Sequence, residues 1–508
     1  MGISTTPCYR PDPARCPENR SVGTTEGLIF EDPGKVPSLT ALRFADFGIE
    51  QDLSGLLLAT RTVKNTFMHI NGLPPEIISR VLEHRDCDRD LVTATHVCRY
   101  WRSTLISSPL LWTSLFSSDL DRTFTYLERS KSTPIDVKIS LRSPKDLEVL
   151  KHLAPHIART KYFVIDGTHL DVHAISPLFR NPVPSLQHLE IDSRKCSIRL
   201  PDDFLGQQAS SLRLVRLRGI CPTSKLPFPL PNPTEFELFL PLSRGPLRMS
   251  ALSQFFSGSP LLRKIDINTG SGVLEDIPPD QVISLESLVE LDFASKPAGL
   301  ILPYLRLPRL KRLCVYFSGE MTLPKLADFL PFDGRLLIAG TTKMLYYSTG
   351  HTYRVELSGK GIDVSLVVFT TGRTPVDWFS DGTYISFGRI EDLAFEGRYG
   401  SDIANFPINV FENLGILRVF PWEAQFAEGS LLLLSPGAVI PCRSLREIQY
   451  TYYAPLGPLI NLARERKRAG YQLGLILLLT VGQYDEDHAK ELRKYVGEVR
   501  FEEQDPTR

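Results

Sequence analysis

Two hydrophobic rhythms divide this chain. Between about Ile70 and Leu115 apolar residues fall at helical spacings. Ile77, Ile78, Val81 and Leu82 lie at i, i+1, i+4 and i+5, one face of a helix. Leu73-Pro74-Pro75-Glu76 starts that helix, since proline is tolerated in a first turn and an acidic residue there meets the positive helix end. Asp86-Cys87-Asp88-Arg89-Asp90 supplies a turn and a cap. Leu91, Thr95, Cys98, Trp101, Arg102 and Leu105 then continue at spacings of 3 and 4, and Pro109-Leu110-Leu111-Trp112 closes the unit. The pattern predicts three short amphipathic helices, too few to enclose a comfortable core of their own.

From about Thr133 the rhythm becomes a repeat. Leu186-x-x-Leu189-x-Ile191, Leu212-x-x-Val215-x-Leu217, Leu262-x-x-Ile265-x-Ile267, Leu288-x-x-Leu291-x-Phe293 and Leu310-x-x-Leu313-x-Val315 share one form. Ile390-x-x-Leu393-x-Phe395, Leu414-x-x-Leu417-x-Val419 and Leu445-x-x-Ile448-x-Tyr450 continue it, with weaker copies at Val137, Phe163 and Phe236. The central positions 137, 163, 189, 215, 236, 265, 291 and 313 are 26, 26, 26, 21, 29, 26 and 22 residues apart. A period of roughly 20 to 29 with this strand pattern is that of a leucine-rich repeat. One strand and one helix cannot bury their own apolar face, so stacked copies share a core. Helices are expected at Asp146–His156, Ser250–Phe256, Lys325–Phe329 and Leu459–Arg468.

The pattern breaks over residues 332–388. Tyr346, Tyr347, Tyr353, Val355, Leu357 and Val364–Phe369 read as strands of irregular length, either degraded repeats or an inserted hairpin projecting outward. A helix near Glu486–Val496 and a strand at Val499–Phe501 read as a terminal cap. The predicted fold is α/β: residues 1–66 a flexible arm with a candidate short helix at Gln51–Met68, residues 67–116 a three-helix unit, and residues 117–508 an irregular repeat solenoid, a horseshoe.

Composition narrows the function. Lys+Arg and Asp+Glu are both 58, and the zero balance argues against a general nucleic-acid coat. The 39 prolines in 508 residues exceed the roughly 5% average and fit a string of short elements. The eight cysteines form no C-x-x-C pair and read as free thiols in a reducing compartment. Leu473–Val481, the strongest apolar run, is far short of the roughly 20 residues a bilayer span needs and reads as a buried strand. The N-terminus lacks a signal-peptide run. Met1-Gly2-Ile3-Ser4-Thr5-Thr6 fits the short myristoylation pattern, read as an unmodified start. An intracellular protein, in cytoplasm or nucleus and without membrane or nucleic-acid partners, is expected.

The segment Ile70–Trp112 resembles an F-box. The resemblance rests on Leu73-Pro74-x-Glu76-Ile77-Ile78-x-x-Val81-Leu82, on Leu91-Val92, on Val97-Cys98-Arg99-x-Trp101-Arg102 and on Leu111-Trp112. One departure is the linker Glu83–Asp90, longer and more charged than a minimal one. The whole layout is similar to the fungal F-box proteins with leucine-rich repeats. The resemblance implies a subunit that binds the Skp-family adaptor of Skp–cullin–F-box ubiquitin ligases, with a cullin–RING assembly beyond it. It implies adaptor contacts from Leu73, Pro74, Ile77, Ile78 and Val81, and contact or core roles for Leu91, Val92, Val97, Cys98, Trp101, Leu111 and Trp112. The repeats would hold an unidentified substrate protein. Trp378, Trp422, Tyr452 and Tyr453 are candidate substrate contacts, because aromatics dominate protein interfaces. The other reading is a non-catalytic scaffold whose F-box-like start only caps the solenoid.

No catalytic constellation is recognisable: P-loop, H-E-x-x-H and G-x-S-x-G are absent, and Gly270-Ser271-Gly272 lacks the third glycine of a dinucleotide fingerprint. Asp86-x-Asp88-x-Asp90 resembles an EF-hand start, but Leu91 stands where the glycine belongs and Val97 where the glutamate belongs. The pairs His152/His156 and His169/His173 have no evident third ligand. No catalytic residue, metal or cofactor is therefore expected. Arg464-Glu465-Arg466-Lys467-Arg468 reads as the wet face of a repeat helix, with a nuclear signal as the alternative.

Overall fold

The computed structural model describes residues 39–83, 88–116, 119–168, 170, 175, 178, 182–193, 198–199, 209–221, 233–240, 249–270, 282–295, 301–318, 330–332, 334–349, 351–369, 387–398, 403, 406–435, 441–451, 456–480 and 486–503. The chain is mixed α/β and divides into two units, one of Met1–Pro74 with Cys98–Tyr100, the other of Pro75–Val97 with Trp101–Arg508.

In the first unit the main element is helix α1, Leu39–Thr66, followed by a 3-10 turn at His69–Gly72. The expected short helix at Gln51–Met68 is thus longer and begins inside the stretch read as arm. Leu39 and Leu42 already belong to the apolar periodicity that runs on through Leu53 and Leu56.

The second unit opens with α2 (Pro75–Glu83), α3 (Asp88–Ala94) and α4 (Arg99–Ser107), the last beginning with two residues of the first unit. A 3-10 turn, Pro109–Trp112, follows. Next come β1 (Ser114–Leu115), α5 (Leu120–Arg129), β2 (Ile135–Leu141), β3 (Thr160–Gly167) and β4 (His188–Ser193). The chain continues through β5 (Ile198–Arg199), β6 (Leu214–Arg218), β7 (Ile220–Cys221), β8 (Glu235–Phe239), β9 (Lys264–Gly270), β10 (Ile283–Ser284), β11 (Glu290–Ser295), β12 (Leu305–Arg306) and β13 (Arg312–Ser318). After these lie β14 (Lys343–Ser348), β15 (Thr352–Gly359), β16 (Ile362–Phe369), β17 (Asp392–Gly397), β18 (Ile416–Pro421), β19 (Glu447–Thr451), β20 (Leu475–Thr480) and β21 (Glu498–Glu503).

Seventeen of these strands form one sheet. From β1 to β13 each strand pairs in parallel with the next along the chain, the short β5, β7, β10 and β12 pairing among themselves. One apolar row crosses the sheet in register: Leu115, Val137, Phe163, Leu189, Val215, Phe236, Ile265, Leu291 and Leu313, all buried. All but Leu115 are the central positions of the repeat, so a strand displaced by one residue would turn its whole apolar set outward. Each such side chain contributes roughly 1.5 to 3 kcal/mol on burial.

The described strands of the irregular stretch lie within the sheet. β14, β15 and β16 form an antiparallel meander in the spatial order β13, β16, β15, β14, β17. Two reversals leave β16 and β14 parallel to their outer neighbours, so the parallel sheet resumes with β17, β18, β19, β20 and β21. The apolar row passes straight through as Val364, Leu357, Met344, Leu393, Leu417, Ile448 and Ile476. Among the described residues of this stretch the hairpin strands lie in the sheet and do not project outward. The turn explains the difference: Gly359 pairs with Ile362, leaving a two-residue loop at Lys360 and Gly361 with φ of 49° and 76°. Two positive φ values make the hairpin turn whose twist matches that of the strands, and glycine adopts it without strain.

Helices fall close to their expected places at Met249–Gly258, Gly457–Arg468 and Glu486–Arg493. The span Asp146–His156 is not one helix. It breaks into a 3-10 turn, an α-helix at Glu148–Leu153 and a second 3-10 turn at Ala154–Arg159, because Pro155 has no N–H to continue the ladder. The run Arg464–Arg468 is not uniformly wet. Arg466 is fully buried and donates to the carbonyl oxygens of Pro441 (3.0 Å) and Cys442 (2.9 Å). Lys325–Phe329 lies outside the described residues. No described helix is long and apolar enough to cross a membrane.

Candidate functional site

In the second unit α2 is amphipathic in an unusual sense, with apolar residues on both faces. Ile78 is buried, while Ile77 and Val81, four residues apart, point outward, Val81 being 62% exposed. Leu91, Ala94, Leu105, Leu111 and Trp112 are buried as well, the last two in the 3-10 turn that α2 packs against. Trp112 anchors it: its Nε1 donates to the Leu105 carbonyl (2.8 Å), its ring meets Tyr126 edge-on at 5.0 Å, and the Arg129 guanidinium lies 4.3 Å from its centroid. Ser79 and Ser108 hydroxyls bond at 2.8 Å, tying α2 to the residue before the 3-10 turn. Arg102 Nε donates to the Thr95 carbonyl (2.9 Å), closing the break between α3 and α4.

A groove of about 500 Å³ runs between α2 and the 3-10 turn. Ile77, Pro109 and Leu110 give it apolar walls, and Glu76, Arg80 and Glu83 line it with charge. Leu110 is 63% exposed although its neighbour Leu111 is buried. The tight 3-10 turn sends the two leucines to opposite sides, which sequence periodicity did not separate. Val92 and Val97 are also exposed, and Trp101 is half-buried. In the first unit Leu73 and Pro74 are exposed, and Tyr100 Oη donates to the Leu73 carbonyl (2.6 Å). Cys98 is half-buried there, its Sγ 4.0 Å from Asn71 Oδ1. Of the twelve adaptor residues expected, Ile78, Leu91, Leu111 and Trp112 therefore serve the core, and Leu73, Pro74, Ile77, Val81, Val92 and Val97 remain accessible.

Residues 70–118 match the F-box-like family model. That span covers every adaptor residue named above. No curated protein matches the chain. An F-box-like segment implies a binding partner of the Skp type, and the apolar outer face of α2 with its groove, together with Val92 and Val97, is accessible in the second unit.

A second surface lies on the polar face of the sheet. The residue between the last two apolar positions of each repeat lies in register on the opposite face of the sheet: Glu190, Arg216, Glu237, Asp266, Asp292 and then the buried Cys314 and the half-buried Ser365. That position could have been read as a solvent-facing ladder from the repeat spacing. Arg216 Nε approaches Glu237 at 3.1 Å and Arg218 Nε donates to the same carboxylate at 2.8 Å. Asp266 and Asp292 stand side by side, with no such close ion pair among the described residues. Burial, then the neighbouring Asp266, pushes the Asp292 carboxyl up to about 6, and burial and Glu237 push Asp266 up as well. Burial raises the Cys314 thiol, and a hydrogen bond donated by the Tyr316 hydroxyl to the Cys314 sulfur, with burial, pushes Tyr316 up to about 12. Towards the meander a depression of about 570 Å³ is ringed by Arg312, Lys343, Arg354 and Arg418 with Glu356 and Asp392. Arg418 grips Asp392 through two bonds of 2.9 Å. Trp422 is 53% exposed at the end of β18, its ring 5.7 Å from Tyr347. Trp378, Tyr452 and Tyr453 lie outside the described residues, as do His169, His173 and Asp86. Among the described residues no group of three His, Cys, Asp or Glu is placed to hold a metal.

The raised Asp292 carboxyl carries a pH prediction. The folded state holds that proton above the pH at which the unfolded chain has lost it. Stability therefore falls as pH rises from about 4 through about 6. Asp292→Asn is expected to remove this loss. The variant should match wild type near pH 4 and exceed it near pH 7 by about 1 kcal/mol, after discounting for solvent screening. Urea melts at the two pH values measure it, and a difference independent of pH would contradict it.

Proposed function

We propose that this chain is a substrate-recognition subunit of a Skp–cullin–F-box ubiquitin ligase. The observation that carries the reading is the coincidence of the F-box-like match with an exposed apolar face on α2, beside a groove walled by Ile77, Pro109 and Leu110. A helix of the adaptor laid along this face would bury apolar anchors without needing net charge. Contacts are assigned to Leu73, Pro74, Ile77, Val81, Val92 and Val97, with Leu110 added to them. The sheet is read as an irregular leucine-rich-repeat solenoid, supported by its sequential parallel strands and its single apolar row. Its polar face, with the depression and Trp422, would hold the target protein. The chain's own part is binding and positioning inside the cell, and ubiquitin transfer is performed by other subunits.

A scaffold reading has one observation in its favour. β1 pairs with β2 at the sheet edge and Trp112 packs on Tyr126 of α5, so the helical segment also covers the end of the sheet. Capture of a purified Skp-family adaptor separates the two. Wild type is expected to bind. Val81→Asp and Leu110→Asp should each weaken binding by roughly a hundredfold, because a carboxylate would be buried unpaired, while leaving the melting temperature unchanged. Leu73→Ala with Pro74→Ala should weaken it too. If wild type fails to bind, or these variants bind as well as wild type, the scaffold reading takes its place.

A further inference from the structure

Tyr347 of β14, Glu396 of β17 and Phe420 of β18 stand in register on three neighbouring strands, roughly 4.8 Å from one strand to the next. Trp422, two residues beyond Phe420, reaches back across β17. Its ring lies 5.7 Å from that of Tyr347, with the two planes 74° apart. Its backbone N–H donates to the Gly397 carbonyl (2.8 Å), which fixes it there although it is 53% exposed. Two aromatic walls thus meet near a right angle beside one carboxylate, and the Trp422 indole hydrogen-bonds to that carboxylate.

The charge of this corner is out of balance. Arg354 pairs with Glu356, Arg418 with Asp392 (2.9 Å) and Arg398 with Glu423 (2.7 Å). Glu396 has no ion pair among the described residues. Burial raises its carboxyl in spite of the Trp422 hydrogen bond and the charge of Arg354. Nor, among the described residues, does a cation lie over the Trp422 or Tyr347 ring. An aromatic face attracts a cation, and a half-buried carboxylate is stabilised by one. Arginine suits both at once. Its flat guanidinium stacks on a ring while its N–H fork meets a carboxylate, whereas the lysine ammonium is a strongly hydrated point charge.

We propose that the corner of Tyr347, Glu396, Phe420 and Trp422 receives an arginine side chain of the target protein. This rests on the reading of the polar face as the surface that holds the target. The guanidinium lies against the Trp422 ring and donates to the Glu396 carboxylate. The depression beside it includes Leu345 and Ala394, two residues before Tyr347 and Glu396 on the same strands, and takes the chain that flanks the arginine.

Calorimetric titration of the full chain with acetylated triarginine amide tests it, alongside trilysine and tricitrulline peptides of the same form. Triarginine is expected to bind, trilysine several-fold more weakly and the uncharged tricitrulline not at all. Trp422→Ala and Glu396→Gln should each weaken triarginine binding by roughly tenfold, and Trp422→Phe by less. Thermal melts should show all three variants folded, since neither side chain lies in the core. Absence of triarginine binding at millimolar concentration overturns the proposal. So does triarginine binding that survives Trp422→Ala or Glu396→Gln, or trilysine or tricitrulline binding as tightly. Capture of the Skp-family adaptor is measured on the same preparation. A chain that captures the adaptor but not triarginine loses this site alone. A chain that takes triarginine but not the adaptor keeps the site and loses the ligase reading.

Discussion

Trp112→Ala is expected to destabilise the second unit by about 4 kcal/mol, the upper part of the range for a buried aromatic. Three losses combine. The indole is 1% exposed, so its removal opens a cavity among Leu105, Leu111 and Tyr126. The Leu105 carbonyl loses its donor. The Arg129 guanidinium loses the ring it lies over. Urea denaturation followed by near-ultraviolet circular dichroism measures the change. A loss below about 1 kcal/mol would contradict the anchoring role. Adaptor capture should fall with it, but through unfolding, whereas Val81→Asp removes capture from a folded chain. The pair of variants therefore separates the core of the F-box-like segment from its surface.

Arg466→Met is expected to cost about 3 kcal/mol, whereas Arg464→Ala should leave the stability nearly unchanged. The two arginines are neighbours in one basic run with opposite environments. Arg466 is fully buried, and burial lowers its pKa. Its guanidinium donates to the carbonyls of Pro441 and Cys442, in the turn where Cys442 has φ of 50°. Methionine keeps most of the volume but leaves both carbonyls buried without donors. Arg464 lies at the surface, 3.6 Å from Glu491 and over the Tyr495 ring. Thermal melts of the two variants measure the contrast, and equal losses would contradict it.

Much of the fold was legible because strand and repeat periods are written in single residues. Val137, Phe163 and Phe236, weak as repeats on sequence, take the same row as Leu189 and Leu291. The meander strands were legible from alternation, but their order was not. Alternation says which face of a strand is buried and nothing about which neighbour it pairs with. The positive-φ turn at Lys360-Gly361 was a local signal that marks the hairpin between β15 and β16.

At the candidate site the F-box-like segment was legible from its spaced Leu-Pro, Val-Cys-Arg-x-Trp-Arg and Leu-Trp elements, and the family model matches the same residues. Which of its apolar residues stay outside was not. Ile77 and Ile78 are chemically alike and adjacent, yet one is exposed and one buried, because a helix turns about 100° per residue. Leu110 and Leu111 divide in the same way at a 3-10 turn.

By itself, then, the sequence determined the α/β character, the apolar row and the F-box-like segment, since each depends on residue type at fixed short spacings. Only the tertiary structure decided the place of β14, β15 and β16, the burial of Arg466 within a basic run, and the pairing of Asp266 with Asp292. Those follow from contacts between residues distant along the chain. There, neighbouring strands and their low-dielectric surroundings, rather than local pattern, set the energy of each group.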